Sequence, residues 1–372
     1  VADPVSDRDE LDSLVQRADL DGLVRHVDST CAAREWDHLV RVRDAARAAV
    51  DTGRQLWPIA TLANHRLALW APPHLAVRAL DDTARTFMPG PVSEILAVHH
   101  RWDEMDGHIP PGHDRALFAH ERSLRGDSVP AGEPSMIDVP VAVQDWEPRY
   151  LPAGYGDDGV DDPRPDVPRC TEELQCGDGD PLDDPETENA LRFLVEPWTV
   201  QSNGSAACAV AEGGASDALA ALGVRECLVA PVDHLAALSL LAWAGASGGA
   251  HGRRRGLATG RSNAWWFLGV FTGLHEDWPC DPDEFGGILR GLEWWLWQPH
   301  GQPQTGWSMN LVVTDGDEGV SCAVTAHDRA GSAALQRLDE LGDDLQRVTH
   351  DAEVGDTEDR RLLVLVDRDD VL

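Results

Sequence analysis

The chain has 372 residues, a formal charge of −34 and 42% hydrophobic content, enough for two modest domains with cores of their own. All 31 basic residues are arginine, so there is no amine for a Schiff base, a pyridoxal phosphate attachment or a phosphate loop, and no cofactor is expected. A field of this sign repels nucleic acid and anionic membrane, so neither is an expected partner.

The opening VADPVSDRDELD is acidic and polar, the opposite of a signal peptide. No uncharged apolar run approaches eighteen residues except near 232–249, which Asp233, His234 and several glycines interrupt. These features set the expectation of a soluble cytoplasmic protein. Arginine-only basicity with abundant Ala, Gly and Asp also fits a GC-rich genome, and the acidity reads as a solvated surface, with a salt-rich habitat or DNA mimicry as sharper alternatives.

Residues 7–126 read as successive helices. Leu11, Leu14, Val15 and Ala18 recur at helical spacing, as do Leu20, Leu23, Val24 and Val27. Longer amphipathic runs follow at 34–51, 54–70, 74–88, 91–106 and 111–125, broken at Gly53, Pro72-Pro73, Pro89-Gly90-Pro91 and Pro110-Pro111. This predicts an all-helical domain over 1–129, either α-solenoid-like or an irregular bundle. Seven of the fifteen histidines fall between His65 and His120, but His99, His100, Asp103, Glu104, His108, His113, His120 and Glu121 match no zinc spacing, so no metal site is expected.

Residues 130–188 form a second part. MIDVPVAVQDWEPRYLPAGYG has room for one extended segment. The acidic, Pro- and Gly-rich run after it has too little apolar surface to offset its ordering entropy and reads as a linker or long surface loop. Net charge is −9 over residues 1–150, −11 over 151–190 and −14 over 191–372.

From 189 to 372 the pattern is that of an α+β domain with an antiparallel sheet. RFLVEPWTVQ, SAACAVAE and RECLVAP read as strands and ASDALAAL as a short helix. Asp233 is placed to cap HLAALSLLAWAGAS, and Asp281, Pro282 and Glu284 open another helix. EWWLWQ, GWSMNLVVTD and VSCAVTAHD alternate faces, the last two joined by a DGDEG turn, with Trp294 and Trp295 on opposite sides of their strand. The tail offers one helix and the strand RLLVLVD. The cysteines number seven, with no Cys-x-x-Cys pair, and read as buried thiols; a Cys170–Cys176 disulfide is left open.

The candidate site is SGGAHGRRRGLATGRSNAWWFLGVFTG, residues 247–273, within a stretch (234–275) that has no Asp or Glu. The run Gly256 to Ser262 is one residue short of a phosphate loop and has Arg where Lys belongs. Ala244, Gly248, Gly252, Gly256, Gly260 and Ala264 step by four and would line one helical ridge against another backbone. Arg253, Arg254, Arg255 and Arg261 then fan over other faces. Their partners are either the chain's own carboxylates or an external anion or acidic protein. If the helix starts near Ser262 instead, the glycine-rich turn before it would aim N–H groups at an anion. Trp265 and Trp266 follow, seven of the fourteen tryptophans falling between Trp265 and Trp307. His251 is the only weak catalytic candidate, as a base held neutral by nearby positive charge.

The segments GGAHGRRRGLATGR, AWWFLGVFTGL, the WP-x-DPDEFG stretch, LEWWLW and GWSMNLVVTDGDEGVSCAV, with EILAVHHRW and PPGHDRALFAHERSLRG upstream, resemble an uncharacterised family of actinobacterial proteins, a domain of unknown function. The likeness covers most of the chain outside the acidic loop. It implies a bacterial cytoplasmic origin and carries over no catalytic residue. The leading expectation is therefore a non-enzymatic interaction or scaffold protein with an Arg/Trp-rich surface. The alternative is an enzyme or binder of a small anionic metabolite that uses Arg253, Arg254, Arg255, Arg261 and His251.

Overall fold

Apolar spacing sets the first helices, and each break between them has a local cause. In a computed structural model that describes residues 4–81, 88–135, 137–157, 159–301 and 306–329, α1 (Pro4–Arg17), α2 (Leu20–Ala33), α3 (Trp36–Asp51) and α4 (Trp57–Trp70) follow in turn. Asp19 caps α2 by accepting from the Gly22 N–H at 2.9 Å. Arg34 ends α2 in the left-handed conformation, where its N–H closes on Cys31 and Thr30 carbonyls. Leu23, Val27, Leu39, Val42, Ile59 and Ala63 join in one helical core with residues of α6 (Val92–His99) and α8 (His113–Leu124).

Two of the expected helices come out shorter. The run over 74–88 yields α5 (Pro73–Ala76) and a 3-10 turn, Val77–Asp81; residues 82–87 lie outside the described residues. The run over 91–106 divides at His100 into α6 and α7 (Trp102–Met105), because the amides that would continue the helix find other acceptors. The Arg101 N–H donates to Glu104 at 2.9 Å and the Trp102 N–H to Asp127 at 2.8 Å, while the His100 ring meets the Ala68 carbonyl.

The segment expected as a linker or loop is irregular for most of its length, yet backbone pairing anchors it. β1 (Gly154–Gly156) and β2 (Gly159–Asp161) form a small hairpin, and β3 (Glu172–Gln175) pairs with the larger sheet. Arg164 holds the stretch between them, donating to the Ser308 carbonyl at 2.8 Å with its guanidinium over Trp243. Composition does not register such anchors, because main-chain bonds carry no side-chain signature.

RFLVEPWTVQ, expected as a strand, is instead the end of α9 (Pro185–Leu194) and α10 (Glu196–Val200). Asp184 accepts from the Thr187 N–H at 3.0 Å, and Pro185 and Pro197 stand in the first turns of their helices. These start signals outweigh the strand propensity of Phe193, Val195 and Val200. Apart from α13 (Leu257–Phe271), the other strands and helices occur where the sequence places them: β4 (Ser205–Glu212), α11 (Ala215–Ala221), β5 (Glu226–Val232), α12 (His234–Ala246), α14 (Pro282–Gly291), β6 (Glu293–Pro299), β7 (Trp307–Asp315) and β8 (Val320–Asp328). Asp233 and Asp281 cap α12 and α14 as expected.

The fold class is α+β. Six strands pair antiparallel throughout in the order β3-β5-β6-β7-β8-β4. Side chains alternate between two cores. Trp294, Leu311 and Val324 lie in one with Trp198, Trp243, Trp265 and Phe285, whereas Trp297, Val312 and Ala323 lie in the other with α11. Trp295 packs on the side opposite Trp294, as the alternation requires. Leu124 of α8 together with Val139, Trp146 and Tyr150 enters the first of these cores, and the described residues up to Arg329 pack as one unit. The boundaries expected at 129 and 188 both fall within that unit. The helix and strand expected in the tail lie outside the described residues.

Candidate functional site

The arginine-rich motif divides into a loop and a helix. α12 stops at Ala246 and α13 starts at Leu257, so the ridge of small residues at steps of four is not one helical face. Each glycine weakens a helix by roughly 1 kcal/mol relative to Ala, and Gly256 adopts φ +90, which strains any side chain. What survives of the ridge is a close helix crossing. An added Cβ on Gly260 of α13 would collide with the Ala242 carbonyl and the Ala246 N–H of α12.

The four arginines, three in this loop and one in α13, diverge toward different groups of their own chain. Arg254 is buried and makes a bidentate pair with Glu94 of α6, at 3.0 and 2.8 Å, with Asp162 2.6 Å from its remaining nitrogen. Glu94 also accepts from the Leu257 N–H at the start of α13 and from the Tyr155 hydroxyl. Burial opposes the charge on Arg254, but Glu94 and Asp162 more than offset it and hold the guanidinium protonated above its ordinary range.

Arg261 is completely buried one turn into α13. It pairs with Glu147 through Nε at 2.7 Å and Nη2 at 2.5 Å, and donates to the Pro140 and Ala142 carbonyls. Burial alone would push the Glu147 carboxyl up. The Arg261 charge and hydrogen bonds, with the Gln144 N–H and Tyr150 hydroxyl, bring it below its usual range instead. Trp265 sits over the same guanidinium at 5.4 Å and donates its indole N–H to Glu147.

Arg255 binds carbonyls instead: Gly245 at the end of α12, and Phe193 and Leu194 at the end of α9. Burial lowers its guanidinium to about 10, against a weaker opposing pull from Glu196, 3.7 Å away. Arg253 is half-buried, and its N–H donates to the Gln201 side chain at 2.9 Å. His251 is exposed in the same loop. Trp266 is half-buried edge-on to Trp278 and His275. The structure therefore gathers Arg254, Arg261 and Trp265 into internal networks and leaves His251 and Arg253 toward the rim of the loop, with no convergence of the four arginines on one cleft.

Sequence reasoning overlooked the carboxylates that receive these arginines. Glu94 lies in PVSEILAVHH and Glu121 in RALFAHERSL, each with apolar residues three and four positions away on its helix, and a carboxylate on an apolar helix stripe is a signal for a buried partner. Glu121 of α8 is buried beside Glu94. Its Oε1 accepts from the Ala258 N–H at 2.7 Å, while Oε2 is buried without a hydrogen-bond partner among the described residues. Burial first, then the Glu94 charge, raise its carboxyl to about 7, against Arg125, the Ala258 N–H and Arg254.

Of the other titratable candidates, His100 and His120 are buried, whereas Asp103, Glu104 and His108 are exposed. Burial pushes the imidazoles of His65 and His120 down to about 4 and about 3, and the His120 ring meets the Ser135 hydroxyl. Among the described residues no three His, Cys, Asp or Glu side chains are grouped to hold a metal ion. All seven cysteines are free. The Cys176 thiol meets Cys227 across β3 and β5, not Cys170, and Cys208 meets Cys322 across β4 and β8.

One family model matches residues 21–330, a span that takes in α3 through β8, both buried arginine pairs and the whole six-stranded sheet. The chain belongs to that family. It is the family of unknown function DUF6183, so membership fixes kinship without assigning chemistry to any DUF6183 residue. Neither the curated proteins nor the solved structures contain a match to the chain. No helix among the described residues is long and apolar enough to cross a membrane.

Proposed function

We propose that this DUF6183 chain is a non-catalytic cytoplasmic interaction protein whose partner docks at the corner where α9 and α10 meet the 247–256 loop. One observation carries the reading. The two most exposed large apolar side chains among the described residues, Val200 at 72% and Phe193 at 51%, stand on the two helices that this loop clasps. Arg255 reaches the Phe193 and Leu194 carbonyls, and the Arg253 N–H reaches Gln201 next to Val200. His251 and Arg253 border the same corner, in the acid-free stretch 234–275 of a chain with charge −34. Apolar side chains beside cationic ones suit a protein segment with an apolar anchor flanked by carboxylates. The overall field disfavours nucleic acid and anionic membrane as partners.

The alternative, an anionic metabolite clamped by Arg253, Arg254, Arg255 and Arg261 with His251 as base, requires Arg254 and Arg261 to leave buried carboxylates. Breaking such pairs costs about 3–5 kcal/mol each, which contacts to the anion would have to offset before any net affinity appeared.

The test is affinity capture with the full chain from native lysate, comparing wild type, Val200→Glu, Arg253→Ala and the distant surface control Val24→Glu. A stoichiometric protein retained by wild type and Val24→Glu, and lost with Val200→Glu, is the expected result. Capture that survives Val200→Glu and Arg253→Ala together would remove this corner as the docking surface.

A further inference from the structure

A second surface, on different elements, has the chemistry of a small-ligand site. An open groove of about 740 Å³ lies between the C-terminal end of α8 and the irregular stretch 143–152, within the size range of small-molecule pockets. Leu124, Val143, Tyr150 and Leu151 supply apolar walls, and two guanidinium groups, Arg125 and Arg149, line it with them.

Glu147 is the one carboxylate that lines the groove, and Arg261 neutralises it from the interior while Tyr150 and the Gln144 N–H occupy its other acceptor positions. Arg149 is exposed and makes no side-chain hydrogen bond or ion pair among the described residues. Of the Arg125 side-chain nitrogens only Nη2 has a hydrogen-bond partner among the described residues, the Ala153 carbonyl at 2.8 Å. Its Nε is buried without one. A guanidinium has five N–H donors, so Arg125 retains unused hydrogen-bonding capacity.

We propose that this groove binds a small amphiphilic oxyanion, with Arg149 and Arg125 holding the carboxylate or phosphate head and Val143, Tyr150 and Leu151 packing against an aromatic or branched apolar body. Arginine forks suit planar or tetrahedral oxyanions, and Leu151, 44% exposed at the groove, gains cover when the body is seated. The ligand reads out two features together, a negative head and an apolar body, and a chain with charge −34 admits it only because both arginines face a groove whose sole carboxylate is already neutralised.

Calorimetric titration of the full chain with phenylacetate, phenyl phosphate, inorganic phosphate and the neutral phenylacetamide tests this. Saturable one-to-one binding is expected for phenylacetate or phenyl phosphate, whichever head the arginines prefer, and weak or no binding for phenylacetamide and inorganic phosphate. Arg149→Ala, which disturbs no interaction in the fold, should weaken the bound ligand roughly tenfold, the loss of one charge-assisted contact. Leu151→Asp, which places a carboxylate at the rim without touching either arginine, should weaken it further. No saturable binding of either aryl anion up to about 10 mM, a limit near 3 kcal/mol of affinity, would overturn the proposal. So would equal binding of phenylacetamide, or binding unchanged in both variants. Because the groove shares no residue with the α9–α10 corner, loss of partner capture in Val200→Glu with ligand binding intact, or the reverse, separates this inference from the docking proposal.

Discussion

Two ends of one ten-residue loop, 247–256, have opposite physical characters. At its inner end Arg254, and Arg261 one turn into α13, are buried with Glu94, Asp162 and Glu147. At its rim His251 is exposed, Arg253 is half-buried and Val200 projects nearby. The difference shows that a cluster of like charges in sequence is not a cluster in space. Successive side chains leave a non-helical loop in different directions, and each guanidinium settles on the nearest acceptors in its own direction. The inner arginines bind the helical half to the sheet half, since Glu94 belongs to α6 and Glu147 to the segment that follows α8. The rim is the part that we propose a partner meets.

Substitutions can sharpen or break that contrast, and the buried pairs should show the largest effects. Arg261→Met or Arg254→Met leaves an uncompensated buried carboxylate and should cost about 3–5 kcal/mol of unfolding free energy. His251→Ala, at an exposed position of the same loop, should stay within about 0.5 kcal/mol, as surface changes usually do. Urea denaturation of the three variants measures this, and equal losses at all three positions would erase the distinction between inner end and rim.

Next comes a pH effect from Glu121. Its folded-state carboxyl lies near 7, above the ordinary 4.5, so the folded chain holds this proton more tightly than the unfolded chain. The associated stability is complete below about 4.5 and is lost as pH rises through about 7, amounting to up to about 3 kcal/mol. His65 and His120, held neutral by burial, act in the opposite direction. Their contribution is present above 6.5 and is lost as pH falls through about 4 and about 3. Glu121→Gln keeps an acceptor for the Ala258 N–H and supplies an amide donor toward Glu94. Thermal melts from pH 5.5 to 8.5 should show wild type losing stability as pH rises from about 6.5 through about 7 and levelling off beyond it, with the variant flat over the same interval. A variant that parallels wild type across that range would rule out Glu121 as the source.

The helix crossing comes third. Gly260→Ala drives a methyl into the α12 backbone, where no flexible side chain can yield, and should cost about 1–3 kcal/mol in the same denaturation assay. Gly287→Ala, where an added Cβ meets nothing within 4 Å, is the control and should not destabilise. The smallest effect on stability belongs to Val200→Glu, expected within about 0.5 kcal/mol even while it abolishes partner capture.

Particular elements show how far the sequence could be read. The meander β6–β7–β8, the caps Asp233 and Asp281 and the opposed faces of Trp294 and Trp295 follow from alternation and capping chemistry, which act over a few residues. The break at His100 was not legible, because its causes are Asp127 and the Ala68 carbonyl, 25 and 32 residues from the groups they bind. RFLVEPWTVQ was misread because its strand-forming residues hid the helix-start signals of Asp184, Pro185 and Pro197. In the candidate site the four arginines were visible, and their partners were not. The pairing of Arg254 with Glu94 spans 160 residues and that of Arg261 with Glu147 spans 114.

By itself the sequence determined that this is an acidic, lysine-free α+β chain with one acid-free, arginine-bearing stretch, since charge, hydrophobic period and capping are properties of neighbouring residues. Only the tertiary structure decided which arginines are internal ties and which border a surface. That outcome depends on which carboxylates packing brings within about 3 Å, a distance at which a desolvated ion pair offsets its burial only with well-formed hydrogen bonds.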